Sequence, residues 1–268
     1  MKAKELIHNR ILKILISVVV IAIVLALVAY GIVWYSGYRY VAYETDNGRV
    51  EFFGKADRDG VPYSGNIYFP DGTTAKLDGD KGTVTYSDGR VYTGEITDLT
   101  PNGKGRLEYI SGEYYEGEFD MGRISGYGVY VYAEAIGDRY EGHFKNGLRH
   151  GTGKYTWADG STYEGQYEND MKSGKGTYLF KDGSSYTGDY YMDVKHGQGT
   201  YIYENGDRYE GGFENDVRSG QGTYTWANGE YYIGEFSHNM MNGKGTYFWP
   251  SGRSYEGQFK DNKIVWDE

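Results

Sequence analysis

The chain contains no cysteine and only four prolines among its 268 residues. The absence of cysteine excludes disulfide bonds and thiolate metal sites. Basic residues are in the minority, because 28 Lys and Arg stand against 38 Asp and Glu. An acidic surface repels nucleic acid and anionic lipid headgroups, so we expect no nucleic-acid partner. After residue 35 the sequence also lacks helical periodicity, which leaves strands as the expected structure.

Tyrosine and glycine are abundant instead, with 31 and 42 residues, and they form a repeat. A Tyr-x-Gly motif recurs every 23 residues, apart from one step of 25 residues between Tyr115 and Tyr140. Gly-x-Gly follows eleven residues after each of seven of these tyrosines, and a turn dipeptide such as Asp159-Gly160 comes next. A fixed period of this length predicts a repeat array, and such arrays mostly present binding surfaces. The tyrosines of the motif are Tyr92, Tyr115, Tyr140, Tyr163, Tyr186, Tyr209, Tyr232 and Tyr255.

Between these motifs the residues alternate with a period of two. In the segment 162–167, Tyr and Gly fall on one face, whereas Thr, Glu and Gln fall on the other. Asp-Gly and Asn-Gly between such runs indicate hairpin turns. Each unit is therefore predicted to be strand, loop, strand and tight turn. We expect an all-β fold, an elongated single-layer antiparallel array of about nine hairpins, in which each glycine leaves a slot for a neighbouring ring.

The N-terminal segment differs from the rest of the chain. Residues 14–33 form an uncharged apolar run, and its length is that of a helix that spans a bilayer. Trp34 and Tyr35 follow, as in an interfacial belt, and Lys2, Lys4, Arg10 and Lys13 precede the run. Basic flanks stay in the cytoplasm, so we predict a single-pass membrane protein with a cytoplasmic N-terminus and an extracytoplasmic array. A cleaved signal peptide is the alternative, although no Ala-x-Ala site is evident.

These patterns divide the chain into five predicted segments. They are a cytoplasmic tail over 1–13, a transmembrane helix over 14–35, a linker over 36–45, degenerate repeats over 46–89, and the main array with a charged C-terminal cap over 90–268.

The segments from Tyr163 to Gly183 and from Tyr209 to Gly229 resemble the MORN (membrane occupation and recognition nexus) repeat. The repeat's pattern is Tyr-Glu-Gly-x-aromatic, a polar loop with Gly, Gly-x-Gly, an aromatic strand and Asp-Gly, and both segments match it nearly throughout. The resemblance covers about residues 46–260 and implies an antiparallel β array used for protein contacts or lipid contacts. It implies no reaction.

Motifs that could carry chemistry are weak in this sequence. Gly-x-Gly lacks the third glycine and the following helix of a nucleotide-binding loop. Asp57-Arg58-Asp59-Gly60 lacks the acidic ladder of a calcium loop, and the histidines are separated by whole repeats. We therefore expect no catalytic residue, no cofactor and no metal site. The rival hypothesis is an enzyme whose site lies in residues 46–89, around Asp57, Asp59, Asp78 and Asp80.

A column of glutamates is predicted on the polar face, with lysines as cross-strand partners. The glutamates are Glu116, Glu141, Glu164, Glu210 and Glu256, and the lysines are Lys104, Lys154, Lys175 and Lys244. A solvated face is the simpler interpretation, and a strip that binds cations or a basic partner is the alternative.

The aromatic columns carry the strongest functional signal. One face of a single-layer sheet cannot be fully buried from within, so part of it is predicted to line an open groove. We predict a membrane-anchored scaffold that binds a protein partner there, without catalysis. A cell-envelope glycan-binding module that uses the same rings is the alternative. The predicted groove residues are Tyr155, Trp157, Tyr178, Phe180, Tyr201, Tyr203, Trp226 and Trp249.

Overall fold

The computed structural model describes residues 2–133 and 135–266, with side chains from Arg10 onward. The last two acidic residues of the predicted charged end, Asp267 and Glu268, lie outside the described residues. The chain forms two compact units that divide between Thr100 and Pro101.

The first unit begins with helix α1, Lys2–Tyr35. Its apolar run is rich in Val and Ile, and none of the segment Arg10–Tyr35 is buried against the rest of the unit. The helix ends where Gly37 adopts a φ of 84°, the left-handed conformation that glycine accepts at a helix C-terminus. Arg39 folds back beneath this end, because its guanidinium lies 3.5 Å from the centre of the Trp34 ring and donates to the Trp34 carbonyl.

Six strands follow the helix in the first unit. They are β1 Tyr38–Thr45, β2 Gly48–Ala56, β3 Pro62–Tyr68, β4 Thr74–Asp78, β5 Thr83–Tyr86 and β6 Val91–Thr97. Each pairs antiparallel with the next strand in the chain. The core between them is mainly aliphatic, with Val50, Ile67 and Val84 almost fully buried beside Phe52.

The segment 36–45, for which the sequence predicts a linker, contains strand β1. This strand pairs with β2 along its whole length, from Tyr38 opposite Lys55 to Thr45 opposite Gly48. The linker prediction is therefore wrong. The strand was not predicted because it carries neither Tyr-x-Gly nor Gly-x-Gly. Its Tyr and Val content and its antiparallel partner stabilise it as a strand instead.

The second unit is an antiparallel meander of fifteen strands among its described residues. They are β7 Thr100–Glu108, β8 Tyr114–Asp120, β9 Arg123–Val131, β10 Arg139–Lys145, β11 Leu148–Thr156, β12 Thr162–Glu168, β13 Met171–Leu179, β14 Ser185–Tyr191, β15 Val194–Ile202, β16 Arg208–Glu214, β17 Val217–Thr225, β18 Tyr231–Ser237, β19 Met240–Phe248, β20 Ser254–Lys260 and β21 Lys263–Val265. The predicted all-β array of hairpins behind one apolar helix is confirmed.

Two kinds of turn alternate along the second unit. The turn at Asp159-Gly160 lies within the five residues that join β11 to β12, and there the Asp159 carboxylate accepts a hydrogen bond from the Ser161 backbone N–H (2.9 Å). The connection between β12 and β13, predicted as a loop, is instead the two-residue turn Asn169-Asp170. Both residues have positive φ, 50° and 70°, as a type I′ turn requires, and Asn and Asp tolerate this conformation better than most residues.

The second turn residue also ties neighbouring hairpins together. The Asp170 carboxylate accepts a hydrogen bond from the Arg149 backbone N–H (2.8 Å), and the Asp170 N–H donates to the Arg149 carbonyl. Asp193, Asp216, Asn239 and Asn262 accept the equivalent backbone hydrogen bond in the following repeats. This recurring contact explains why the position is always Asp or Asn in these five hairpins.

Candidate functional site

The glycines of each hairpin accommodate one tyrosine ring. Gly165 and Gly176 lie opposite each other in β12 and β13, and the Tyr163 ring lies across both. A Cβ atom at either glycine would collide with that ring. The Tyr163 hydroxyl donates to the Gln166 carbonyl (3.0 Å), which fixes the ring along its own strand. The predicted glycine slots are confirmed.

These rings form a buried ladder along the second unit. From Tyr115 onward, each Tyr of the Tyr-x-Gly motif makes an edge-to-face contact with the aromatic residue four positions later. All but Tyr255 also contact the equivalent ring of the next repeat. The Tyr163 ring, for example, lies 5.2 Å from Tyr167 and 5.1 Å from Tyr190. The tyrosines of the buried ladder with no exposed surface are Tyr115, Tyr140, Tyr163, Tyr186, Tyr209 and Tyr232.

A second ladder of rings comes from the Gly-x-Gly strands and the residues that follow them. Here the rings are tilted towards one another, with centroid distances from 4.3 to 5.8 Å. All eight predicted groove residues belong to it, and seven are half-buried, whereas Tyr155 is buried. We call these rings the half-exposed ladder: Tyr155, Trp157, Tyr178, Phe180, Tyr201, Tyr203, Tyr224, Trp226, Tyr247 and Trp249.

The hydroxyl groups of this second ladder are held by the preceding hairpin. Tyr155 donates to the Asp138 carboxylate (2.6 Å), Tyr224 to Asp207 (2.7 Å) and Tyr247 to Glu230 (2.8 Å). Burial and the hydrogen bond to Glu230 raise the pKa of Tyr247 to about 12. These polar contacts lie at the ring tips, so they do not cover the part of each half-buried ring that faces solvent.

A row of cations lies between the two ladders, and the sequence analysis did not identify it. Arg149, Lys172, Lys195 and Arg218 are one repeat apart and each lies over two or three tyrosine or phenylalanine rings. The Lys172 Nζ atom, for example, lies 5.3 to 5.7 Å from the ring centres of Tyr163, Tyr178 and Tyr190. Burial lowers the pKa of Lys172, against the opposing effect of the Asp193 and Asp216 carboxylates. Cation–π contacts of this kind contribute about 0.5–2 kcal/mol each.

The signal for this row was present in the sequence as a basic residue every 23 positions, nine residues after the repeat tyrosine. Basic residues also recur on the polar face at separations of whole repeats, so periodicity alone does not separate the two sets. The equivalent position in the next repeat is Met241, so the basic row ends at Arg218.

The polar face carries the predicted glutamate column. In the ion pairs of this face, Glu116 contacts Arg106 (3.1 Å), Glu141 contacts Arg139 (2.7 Å) and Glu210 contacts Arg208 (2.6 Å). Of the four predicted lysine partners, only Lys154 lies opposite members of the column, Glu141 and Glu164. The prediction is wrong for the other three, because the register places Lys104 opposite Glu118, Lys175 opposite Asp189 and Lys244 opposite Gln258. All three ion pairs are largely exposed, and contacts of this type contribute about 0–1 kcal/mol.

The acidic motifs of the first unit are used in turns. The Asp57 carboxylate accepts hydrogen bonds from the backbone N–H groups of Asp59 and Val61, and Asp78 pairs with Lys81 (3.4 Å). Over residues 2–133 and 135–266 there is no group of three or more His, Asp or Glu side chains arranged to hold a metal ion.

A repeated hairpin with a glycine-backed tyrosine defines this chain as an antiparallel β-repeat protein. The family model of the MORN repeat matches residues 115–134, 140–162, 163–185, 186–208, 209–231, 232–252 and 255–265. The chain therefore belongs to the MORN repeat family. The comparison with curated proteins finds no match.

Three solved structures illustrate the structural similarity. The TCP10 domain of Danio rerio CPAP, in complex with a peptide of Danio rerio STIL, is 14% identical over 82% of this chain and 100% of that chain, with a TM-score of 0.36. The SAS-4 (dCPAP) TCP domain of Drosophila melanogaster, in complex with a proline-rich motif of Ana2, is 13% identical over 82% and 90%, with a TM-score of 0.28. A streptogramin B lyase is 17% identical over 85% and 70%, with a TM-score of 0.16. Similarity at this level does not extend to function.

Proposed function

We propose that this protein is a membrane-anchored scaffold that binds a protein partner on the half-exposed ladder of its middle repeats. The observation that carries the proposal is the unbroken series of ring contacts from Tyr155 to Trp249, most of whose members keep part of their surface in solvent. Tyr and Trp are enriched at protein interfaces, and contiguous exposed aromatic residues mark binding surfaces. Membership of the MORN repeat family supports a repeat-based interaction module.

The ladder is a better candidate than the polar face because its rings are already ordered. Each ring is held by its neighbours, and several hydroxyl groups are tied to carboxylates of the preceding hairpin. A partner would therefore cause little loss of side-chain entropy on binding, which favours affinity. The polar face instead presents long, exposed charged side chains, which are costly to order.

Helix α1 is the proposed anchor. Its segment Arg10–Tyr35 has 26 residues, which corresponds to about 39 Å of helix and exceeds the roughly 30 Å of a bilayer core. The basic flank of four residues supports a cytoplasmic N-terminus and an extracytoplasmic array. An apolar helix near the N-terminus is also typical of a signal sequence, so cleavage is the competing outcome.

The orientation can be tested with a single cysteine, because the natural chain has none. Lys181 is exposed on a turn of the second unit, so Lys181→Cys introduces a reactive thiol without disturbing the core. A membrane-impermeant maleimide should label this variant in intact cells. Labelling only after lysis would place the array in the cytoplasm and contradict the proposed topology.

No catalytic role is proposed for this chain. The acidic residues of the rival site, Asp57 and Asp78, serve in turns and in an ion pair. Turnover of any substrate that disappears in the Asp57→Ala and Asp78→Ala variants would overturn this part of the proposal.

Capture experiments test the interaction surface. The full chain, reconstituted in nanodiscs and immobilised, should retain a partner protein from an extract of the source cells. Trp157→Ala and Trp226→Ala should each weaken capture by roughly 1–3 kcal/mol if the residue is a hot spot. Ile233→Ala is the matched control, because Ile233 is apolar and 48% exposed but lies on the opposite face.

A glycan ligand is the second candidate, since exposed Trp and Tyr faces also stack on sugar rings. Protease treatment of the extract separates the two, because it destroys a protein partner and spares a glycan. If neither Trp substitution changes any captured ligand while the fold is intact, the ladder is not the binding surface.

A further inference from the structure

One cation of the row differs from the others in its charge balance. Arg149 forms an ion pair with Asp170 (3.1 Å), and Lys195 lies 3.7 Å from Asp216. Lys172 lies next to the turn that carries Asp193, whose carboxylate accepts its backbone N–H. At the turn beside Arg218, the last cation of the row, the position held by Asp170, Asp193 and Asp216 in the other turns is held by Asn239, which is neutral. Arg218 therefore has no carboxylate partner among the described ion pairs.

The guanidinium of Arg218 is also incompletely hydrogen-bonded. One Nη atom donates to the Asn239 carbonyl (2.5 Å), whereas its Nε atom is buried and has no partner within the described part of the chain. The guanidinium carbon lies 5.0 Å from the ring centre of Tyr224, a member of the half-exposed ladder. Tyr224 in turn contacts Tyr203 (5.8 Å) and Trp226 (4.7 Å). The Arg218 guanidinium, which has no carboxylate among its described hydrogen bonds and ion pairs, thus lies over one ring of the half-exposed ladder, Tyr224, and over two buried rings, Tyr209 and Phe236.

We propose, building on the proposed function, that Arg218 binds a carboxylate of the partner and that the partner segment is a proline-rich peptide in the polyproline II conformation. Charge complementarity supports the carboxylate. Arg forms strong charge-assisted hydrogen bonds to carboxylates, and this arginine is the member of the row whose hairpin turn carries Asn239 in place of Asp.

The spacing of the repeats supports the polyproline II conformation. Two antiparallel strands advance the array by about 9.6 Å per repeat, and three residues of polyproline II advance by about 9.3 Å. A peptide that follows the half-exposed ladder therefore presents the same face to successive hairpins. The backbone of polyproline II does not need hydrogen bonds to a neighbouring strand. This suits the face of a sheet, which, unlike its edge, has no free backbone groups to offer. Prolines pack on aromatic side chains in grooves of this kind.

The test uses the full chain in phosphatidylcholine nanodiscs and a fluorescent peptide that contains one Glu at the centre of a proline run. Two companion peptides carry Gln in place of Glu, or Gly and Ser in place of the prolines. Fluorescence anisotropy measures binding. The proline peptide with Glu should bind at least about tenfold more tightly than either companion, as a charge-assisted contact and a preformed conformation together predict.

Two variants isolate the charge. Arg218→Gln should weaken binding of the Glu peptide by roughly tenfold or more and leave the Gln peptide unchanged. Asn239→Asp should weaken it similarly, because it restores the carboxylate found in the preceding repeats while keeping the oxygen that accepts the Arg218 backbone N–H. Asp170→Asn is the matched control. It changes the same position beside Arg149 and should not weaken binding.

Three outcomes would overturn the inference. The first is equal affinity for the Glu and Gln peptides, and the second is an equal loss of affinity in Asp170→Asn and Asn239→Asp. The third is the absence of saturable binding below a peptide concentration of about 1 mM, which corresponds to a binding free energy of roughly 4 kcal/mol. The proposed function is tested separately by capture with Trp226→Ala. A partner that is captured on the ladder while all proline peptides fail would retain the scaffold and remove only the identity of its ligand.

Discussion

The buried ladder and the half-exposed ladder of the second unit are built from the same kinds of residue on the same face of the sheet. Tyr209 and Tyr224, directly opposite each other in β16 and β17, illustrate the difference between them. Tyr209 has no exposed surface, and its hydroxyl donates to the Gly212 carbonyl in its own strand. Tyr224 is half-buried, and its hydroxyl donates to the Asp207 carboxylate.

The difference arises from what lies beneath each ring. The ring of Tyr209 lies over Gly211 and Gly222, so it is in contact with backbone. It is enclosed by the edge-to-face rings of Phe213 and Phe236. The Tyr224 ring has tilted neighbours on two sides and solvent on another. One ladder thus serves as the core of a single-layer sheet, and the other provides an ordered surface above it.

Alkaline pH should disrupt the buried ladder as a whole, which is the largest effect we expect. Burial raises the pKa of Tyr209 and of Tyr232 from 10.0 to about 12. Unfolded tyrosines lose their proton near pH 10, so above this pH the unfolded chain binds fewer protons than the folded chain. Stability should be constant below about pH 10 and fall steeply between pH 10 and 12. Circular dichroism against pH measures this, and unchanged stability at pH 12 would contradict it.

Truncation of one buried ring should have the next largest effect. Tyr186 has no exposed surface and contacts Tyr190 and Phe213 edge to face. Tyr186→Ala should lower the free energy of unfolding by about 3–5 kcal/mol, as for other large aromatic truncations in cores. Tyr191→Ala, at a position that is 55% exposed, is the control and should change it by less than about 0.5 kcal/mol. Urea denaturation compares the two variants.

A methyl group at a slot glycine should have an intermediate effect. The Cβ atom of Gly176→Ala would meet the Tyr163 ring, so the ring or the strand must shift. We expect a loss of about 1–3 kcal/mol, the usual cost of overpacking. Thr177→Ala, next in sequence but exposed on the polar face, should be nearly neutral. Equal stability of both variants would show that the slots are not required.

The contact between neighbouring hairpins should have the smallest effect. Asp193→Ala removes the acceptor of the Lys172 backbone N–H (2.9 Å) and should cost about 1 kcal/mol. Asp193→Asn keeps an acceptor oxygen and should restore most of that loss. Thermal unfolding of the two variants separates the hydrogen bond from the charge.

Most of the fold could be predicted because the repeat aligns equivalent residues, so Tyr-x-Gly and Gly-x-Gly each recur at one place in the hairpin. The two-residue turn at Asn169-Asp170 could not be predicted. It is defined by two positive φ values, which the sequence does not show, and the same polar residues also fit a longer loop. Strand β1 was missed because pairing with β2, rather than any motif, makes it a strand.

The candidate site was predicted only in part. The eight groove residues were identified as an aromatic surface, and the structure brings them into one series of contacting rings. Their separation from the buried ladder was not predictable, because both carry Tyr at alternating positions. The absence of a carboxylate beside Arg218 was not predictable either. It depends on Asn239, which is 21 residues away in the chain and contacts Arg218 only because the turn brings them together.

We expect the buried ladder to maintain the fold and the half-exposed ladder to bind the partner. Trp226→Ala tests this expectation most directly when unfolding and partner capture are measured on the same preparation of the full chain in nanodiscs. We expect capture to weaken by roughly 1–3 kcal/mol, while the free energy of unfolding falls by no more than about 2 kcal/mol because the ring is half-buried. Full capture together with a loss as large as that of Tyr186→Ala would contradict it, because Trp226 would then belong to the core.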